Sequence, residues 1–310
     1  MLWLWITLIV LGSLLLLFIL ATFIVFQMSL KAKSLWNTDN KPWVPHIDEP
    51  ELKQRALDSM DWFRQEGKMV YVKAYDGVKL AGKIFIKENA KKNIILFHGY
   101  RGKPEGDFCL ENEWLKTLDV NILCVYQRGI YPSEGKYITM GVKESRDVHS
   151  WVNFIIEQFD LPTFLWGVSM GASSIMFSLE NEMPSQVKGI IADCGYTNVY
   201  EQFKNEIKPM VTTPIAVCAL FFYNWWCHLF LHFGLKNFNS LRILSKNEIP
   251  MLFVHGKEDK FVKTYFTEQN YMANKGEKEL LLVEGATHNK SFCVNPEEYK
   301  KMVLNLLKKA

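Results

Sequence analysis

Six short, unbroken apolar runs, each separated from the next by a stretch long enough to hold a helix, constrain this chain more than any other feature. They are Asn93 to Phe97, Val120 to Tyr126, Thr163 to Val168, Gly189 to Ala192, Met251 to Val254 and Leu280 to Val283. A strand with one wet face alternates apolar and polar residues, whereas a strand covered on both faces does not. Covered strands alternating with helices close into a parallel sheet through right-handed crossovers. Upstream, Met69 to Tyr75 and Val78 to Ile86 do alternate, and Asp76-Gly77 joins them, which predicts an antiparallel hairpin. The expectation is an α/β chain whose doubly wound, mostly parallel, eight-stranded sheet opens on a hairpin. Before it, Glu51 to Gln65 carries Leu52, Leu57, Met60 and Phe63 at roughly helical spacing and predicts an amphipathic helix.

The first thirty residues obey a different rule. From Met1 to Leu30 there is no Asp, Glu, Lys or Arg, and about 20 apolar residues suffice to cross a bilayer as a helix. A cleaved signal peptide would show a basic start, a shorter apolar core and a small-residue cleavage site. No Lys or Arg precedes this run, so an uncleaved transmembrane anchor over residues 1–30 is expected. Lys31, Lys33 and Lys41 follow it, a bias that predicts a single-pass protein of the cell membrane with the remainder in the cytoplasm. Trp3, Trp5 and Trp36 stand near the two ends, where interfacial aromatics belong. Residues 31–67 read as a linker, broken by Pro42, Pro45 and Pro50, followed by the amphipathic helix; residues 68–310 read as the folded domain.

Composition removes several alternatives. With 49% hydrophobic and 22% charged residues the chain can bury a core and is not disordered. A net charge of +3 without a basic cluster gives nucleic acid no footprint. Cys109, Cys124, Cys194, Cys218, Cys227 and Cys293 show no C-x-x-C spacing, so neither a disulfide scaffold nor a cysteine zinc site is expected. Free thiols suit a reducing compartment.

The chemistry enters at Gly167-Val-Ser169-Met-Gly171, directly after one apolar run and directly before a helix. A serine on so sharp a strand-to-helix turn projects its hydroxyl from the sheet edge, and the residues two before and two after approach closely enough to demand glycine. A helix-capping serine would need neither glycine. The hydroxyl needs a base, and His288, in Gly285-Ala-Thr-His288 beyond the last run, falls at the same carboxyl edge of the sheet. His98 and His255 each begin a His-Gly pair at a strand end and read as turn residues; His46 and His149 fall in linker and helix-surface contexts. Asp259, in the loop after Met251 to Val254, is the candidate orienting carboxylate, with Asp193 and Glu258 as rivals. The oxyanion donors in such a geometry are the backbone N–H of Met170 and one from the His98-Gly99-Tyr100-Arg101-Gly102 loop, with Tyr100 first and Arg101 second.

With these residues in place the chain resembles the α/β-hydrolase superfamily, from about Met69 to the C-terminus, and most of all a bacterial membrane-anchored branch related to prolyl-oligopeptidase-type catalytic domains. The resemblance rests on His98-Gly99, Gly167-Val-Ser169-Met-Gly171, His255-Gly-Lys-Glu-Asp259 and Gly285-Ala-Thr-His288. It implies the α/β-hydrolase fold and a Ser169–Asp259–His288 triad, and leaves the substrate open. One loop departs from the pattern: where relatives carry Asp-x-Arg-x-His-Gly-x-Ser-x-Gly, this chain has Tyr126-Gln-Arg128-Gly-Ile130-Tyr-Pro-Ser133-Glu-Gly135, so the hydrogen bonding of that loop must differ.

Asn198 to Pro250 is longer than a crossover needs and reads as a helical lid inserted in the domain (residues 198–250). From Pro209 to Leu235 it has no formal charge. A membrane span there would put Ser169 on one side and Asp259 with His288 on the other, so the span and the triad exclude each other. Two readings remain, an apolar lid that dips into the bilayer surface and a packed helix pair. Phe221, Phe222, Trp225 and Trp226, with Arg101, are the candidate substrate contacts. Asn224, His228 and His232 mark a polar helix stripe rather than a metal site.

The expected activity is that of a serine hydrolase on a small, lipophilic acyl substrate, a carboxylesterase or lipase-like enzyme before a peptidase or amidase, with no cofactor and no metal. A catalytically silent, membrane-tethered lipid- or partner-binding protein is the alternative from another class.

Overall fold

The computed structural model describes residues 1–32, 47 and 49–309. Lys33, Trp36, Lys41, Pro42, Pro45 and His46 of the expected linker lie outside the described residues. In chain order the structure begins with α1 (Leu2–Leu30), α2 (Pro50–Gln65), β1 (Lys68–Lys73), β2 (Lys79–Phe85) and β3 (Lys92–Phe97). There follow α3 (Pro104–Asp107), α4 (Cys109–Leu115), β4 (Val120–Tyr126), α5 (Glu144–Gln158), β5 (Thr163–Val168), α6 (Met170–Ser178) and β6 (Val187–Asp193). The chain continues through α7 (Val199–Ile207), α8 (Thr213–Leu231), α9 (Ser240–Leu244), β7 (Met251–Gly256), α10 (Tyr265–Ala273), β8 (Lys278–Val283), α11 (Ser291–Val294) and α12 (Pro296–Leu307). These elements form two compact units, Met1–Lys31 with Asn198–Phe238, and Ala32–Thr197 with Asn239–Ala310.

The larger unit carries one eight-stranded sheet in the order β1-β2-β4-β3-β5-β6-β7-β8. β2 runs antiparallel to β1 and to β4; every pairing from β4 through β3 to β8 is parallel. Each uninterrupted apolar run of the sequence is one of the parallel strands, and every residue of β4, β5 and β7 is buried. The hairpin turn closes as the Asp76-Gly77 pair predicts, with Gly77 at φ +86° and its N–H donating to Ala74 O at 2.9 Å.

Strand β5 shows how the two faces are filled. Leu165 points into the cluster formed with Trp151, Val152 and Ile155 of α5 and Ile175 and Met176 of α6. Its neighbour Trp166 points the other way, stacks on Tyr299 of α12 (centroids 5.6 Å apart) and meets Phe108 edge-on. Helices on both faces keep the strands dry, which is why no alternation appears in them.

The amphipathic helix α2 is fastened to β2. Trp62 stacks on Phe85 at 4.4 Å, and the ammonium of the buried Lys83 donates to carbonyls of the last helical turn, Phe63 O and Arg64 O. A cation there also opposes the negative end of the helix dipole.

The divergent loop after β4 has its own hydrogen bonding. Arg128 makes a two-pronged pair with Asp147, at 2.6 Å for both Nε and Nη2, and reaches Asp76 through Nη1 at 2.8 Å. Ser133 Oγ donates to Tyr126 O and accepts from Ala81 N–H, tying the loop to β2 and β4. Tyr126 and Ile130 are buried there.

In the smaller unit α1 and α8 pack on each other. Phe23 meets Trp226 at 4.8 Å, Phe26 meets Tyr223 at 5.7 Å and Phe18 meets Phe222 at 6.1 Å. The polar atoms along this seam are paired: Trp226 Nε1–H donates to Thr22 Oγ1 at 3.1 Å, and Ser29 Oγ bonds Tyr223 OH at 2.5 Å. Phe203 of α7 packs edge-on against Tyr223. The expected polar stripe resolves differently. Asn224 Oδ1 accepts from Leu235 N–H at 2.7 Å, and His232 is the left-handed residue (φ +62°) that ends α8. α1 is long and apolar enough to cross a membrane, a description that a signal sequence also meets.

Candidate active site

The nucleophile elbow is built from two forbidden contacts. A Cβ on Gly167 would lie 2.5 Å from Ala172 N, and a Cβ on Gly171 would lie 2.0 Å from Phe97 O. Both are collisions with backbone, which cannot swing away, so the pattern needs glycine on each side of Ser169. Ser169 itself sits at φ +53° and ψ −118°, a strained conformation held by its N–H on Asp193 O at 2.8 Å. Its side chain makes no capping bond to α6, so the serine is not there as a helix cap.

The hydroxyl meets His288. Ser169 Oγ is 3.0 Å from His288 Nε2, and His288 Nδ1 is 2.6 Å from Asp259 Oδ2. Since an ionised carboxylate only accepts, His288 carries its proton on Nδ1 and offers Nε2 as an acceptor toward Ser169. The other carboxylate oxygen, Asp259 Oδ1, accepts the N–H groups of Phe261 at 2.8 Å and Val262 at 2.9 Å. The side chain of Asp259 is completely buried. Burial alone would raise its pKa, but the hydrogen bonds from His255 and His288 outweigh it and hold the carboxyl well below its ordinary range.

His255, read from the sequence as a turn residue, touches the same carboxylate. Its Nε2 lies 3.1 Å from Asp259 Oδ2 and 2.9 Å from Val262 O, and its Nδ1 lies 2.7 Å from Thr267 Oγ1. Both partners of Nε2 are acceptors, so Nε2 carries the proton and the Thr267 hydroxyl donates to Nδ1. His98 does keep to the turn: Nε2 accepts from Gln127 N–H at 3.0 Å, which leaves Nδ1–H to donate to Gly99 O at 2.7 Å. Burial lowers its pKa to about 4, which keeps the ring neutral. His149 donates from α5 to Ser178 O. Of the rival acids, Asp193 accepts on Oδ2 from Tyr299 OH at 3.0 Å, whereas His288 Nδ1 is bonded to Asp259.

A cavity of about 390 Å³ opens over Ser169 and His288, walled by Gly99, Tyr100, Arg101, Asp107 and Phe261 among others, all from the larger unit. Phe261 meets the His288 ring edge-on at 5.0 Å. Tyr100 and Arg101 thus border the nucleophile, and Met170 follows it as the first residue of α6. Phe221, Phe222, Trp225 and Trp226 belong to the smaller unit, where Phe222 and Trp226 contact α1.

Asp107 is the residue that no sequence signal brought forward. It is half-buried in the wall of the cavity and accepts the Gly99 N–H on Oδ2 at 2.7 Å, which pins the start of the loop that carries Tyr100. Burial pushes its pKa up to about 6. Arg101 in that loop adopts a left-handed backbone, φ +56°.

Among the described residues, Cys194, Asp259 and His288 form a group whose ligand atoms lie within 4.8 Å of one another. Burial raises the Cys194 thiol well above its usual pKa, and Asp259 and His288 are bonded to each other. The set therefore fits a hydrogen-bonded relay better than a ligand shell.

Known proteins agree with this architecture. The esterase Pf2001 of Pyrococcus furiosus superposes with a TM-score of 0.62 at 26% identity, over 79% of this chain and 91% of its own. The esterase EaEST of Exiguobacterium antarcticum superposes at 0.57 with 18% identity, over 77% of this chain and 99% of its own. This chain has the α/β-hydrolase fold. Among curated proteins, the uncharacterized protein YqkD of Bacillus subtilis (strain 168) is 25% identical over 270 residues, 84% of this chain and 87% of YqkD. The uncharacterized protein YfhR of Escherichia coli (strain K12) is 24% identical over 227 residues, 71% of this chain and 72% of YfhR. No family model matches the chain.

Proposed function

We propose that this protein is a membrane-anchored serine hydrolase that cleaves carboxylic esters with an apolar acyl group. The observation that carries the reading is the unbroken relay from Ser169 Oγ through His288 to the buried Asp259, at 3.0 and 2.6 Å, on a strained elbow at the floor of a cavity. The solved neighbours of this fold support a hydrolase, and those named esterases favour the ester over the amide.

His288 Nε2 takes the Ser169 proton as the hydroxyl attacks the carbonyl. Asp259 fixes the tautomer and stabilises the imidazolium that forms. The Met170 and Tyr100 amides hold the oxyanion, in the place where charge develops. His288 then protonates the leaving alcohol, and water releases the acyl-enzyme by the same relay. Asp107 holds the oxyanion loop in place through Gly99. In the same proposal α1 is an uncleaved anchor of the branch related to prolyl-oligopeptidase-type domains, with the hydrolase unit in the cytoplasm; the charge-free span followed by Lys31 supports this.

A panel of p-nitrophenyl esters and aminoacyl or peptidyl p-nitroanilides, run with purified full-length protein, tests the reading. Ester turnover that rises with acyl length and little amide turnover is the expected result. Preference for the amides would overturn the ester assignment.

A further inference from the structure

We infer that α8 lies in the lipid of the same bilayer that holds α1, as a helix that enters and leaves on one side of the membrane. The inference rests on the proposed anchoring of α1 and not on the reaction proposed at the serine site, whose cavity is lined by no residue of α8.

Three observations carry it. First, α8 is a 19-residue helix without a single Asp, Glu, Lys or Arg, long and apolar enough to meet the composition of a membrane helix. Second, its two faces have different partners. One face packs on the C-terminal half of α1, through Trp226 on Phe23, Tyr223 on Phe26 and Phe222 on Phe18. The opposite face, Val217, Cys218, Phe221, Trp225 and Leu229, is exposed; Phe221 is 67% accessible and Trp225 49%. These residues recur at three- and four-residue intervals, so they share one face of the helix, with the exposed His228 along its edge. A helix bound to a 29-residue charge-free helix along one side, and mainly apolar and without formal charge along the other, has lipid as the occupant that matches both. Third, the polar atoms of the α1–α8 seam are satisfied within it: Trp226 Nε1–H on Thr22 Oγ1, and Ser29 Oγ with Tyr223 OH. Hydrocarbon offers no water to satisfy them, and helix pairs in membranes use such side-chain bonds as glue.

The sheet fixes how the helix is inserted. The segment holding α8 leaves β6 and returns to β7, and those strands are paired side by side, Ile190 to Met251 through Asp193 to Val254. Both ends of the excursion are thus on one side, and α8 cannot be a second span.

Cys218 supplies a native probe site on the stripe, and it is the one exposed cysteine among the described residues. Full-length protein with Cys293→Ala, spin-labelled at Cys218 in detergent and reconstituted in phospholipid nanodiscs, is examined by power saturation. The comparison places the label instead at Ser185→Cys, an exposed position of the sheet unit, in a Cys218→Ala, Cys293→Ala background. The expected result is a several-fold higher ratio of oxygen to nickel-chelate collisions at 218 than at 185. An equal ratio at both positions, the signature of water, overturns the inference. So does a label at 218 shielded from both reagents, the signature of cover by protein. Fluorophosphonate labelling of the same nanodiscs reports the serine site separately, so loss of one reading does not disguise loss of the other.

Discussion

Asp259→Asn is the change whose outcome the geometry specifies most closely. The wild-type carboxylate uses Oδ1 for two backbone donors, Phe261 N–H at 2.8 Å and Val262 N–H at 2.9 Å, and Oδ2 for His288 and His255. Asparagine has one oxygen to offer, and the two backbone amides claim it, because an –NH2 placed against them would face two donors. The amide nitrogen then occupies the Oδ2 position, 2.6 Å from where His288 Nδ1 lies. There it donates, so His288 must take its proton on Nε2 and point it at Ser169. His255 keeps Val262 O at 2.9 Å as its acceptor and tolerates the exchange. A base with its proton already on the working nitrogen cannot accept another, and an equivalent tautomer error in a serine protease triad costs about 10⁴ in kcat. The expectation is a loss of that order, about 5.5 kcal/mol of transition-state stabilisation, with KM little changed. Initial rates on a p-nitrophenyl ester at pH 7 read it, with Asp193→Asn as the control. Asp259→Asn activity within tenfold of wild type, or a greater loss in the Asp193 variant, would refute the reasoning.

Three further outcomes follow from the same structure. Gly171→Ala drives a methyl to 2.0 Å from Phe97 O and should lower Tm by roughly 10 °C, given about 3 kcal/mol for overpacking that backbone cannot relieve; calorimetry of the full chain in detergent checks it. Asp107 has a folded-state pKa of about 6 against 3.8 unfolded, so the native state holds the proton more tightly and stability drains away as pH rises between those values, by on the order of 3 kcal/mol. Asp107→Asn still accepts the Gly99 N–H, so it should match wild type near pH 4 and exceed it in Tm above pH 6; an unchanged difference across that range would contradict the raised pKa of this carboxyl. Arg128→Met strands the buried Asp147 without its two-pronged partner and should cost about 3–5 kcal/mol in denaturant unfolding.

The parallel strands were legible because burial on both faces leaves its mark locally: Val120 to Tyr126 and Thr163 to Val168 are strands to the residue. The elbow was legible because Gly167 and Gly171 answer steric demands within a few residues of Ser169. His288 and Asp259 could be proposed because loops after successive parallel strands end at one edge of the sheet. Long-range partners leave no such trace. The second histidine on Asp259, His255, sits in a His-Gly pair that looks like any strand exit, and its role depends on Thr267 and Val262 orienting the ring. Asp107 is one acidic residue at the end of the short helix α3 until folding brings it to the Gly99 N–H. The pairing of α1 with α8 joins residues some two hundred positions apart, as in Ser29 with Tyr223, and two helices this rich in apolar residues leave no pattern that would predict which faces meet. Spacing alone groups His232 with Asn224 and His228, whereas the left-handed turn that ends α8 takes it out of the helix.

The central claim is that Ser169 is an activated nucleophile, and mass spectrometry after treatment with a fluorophosphonate tests it most directly. The account predicts one adduct per chain, on the peptide containing Ser169, formed rapidly in wild type and absent in Ser169→Ala. An unmodified wild-type protein, or an adduct of equal yield on another residue in the Ser169→Ala variant, would contradict it.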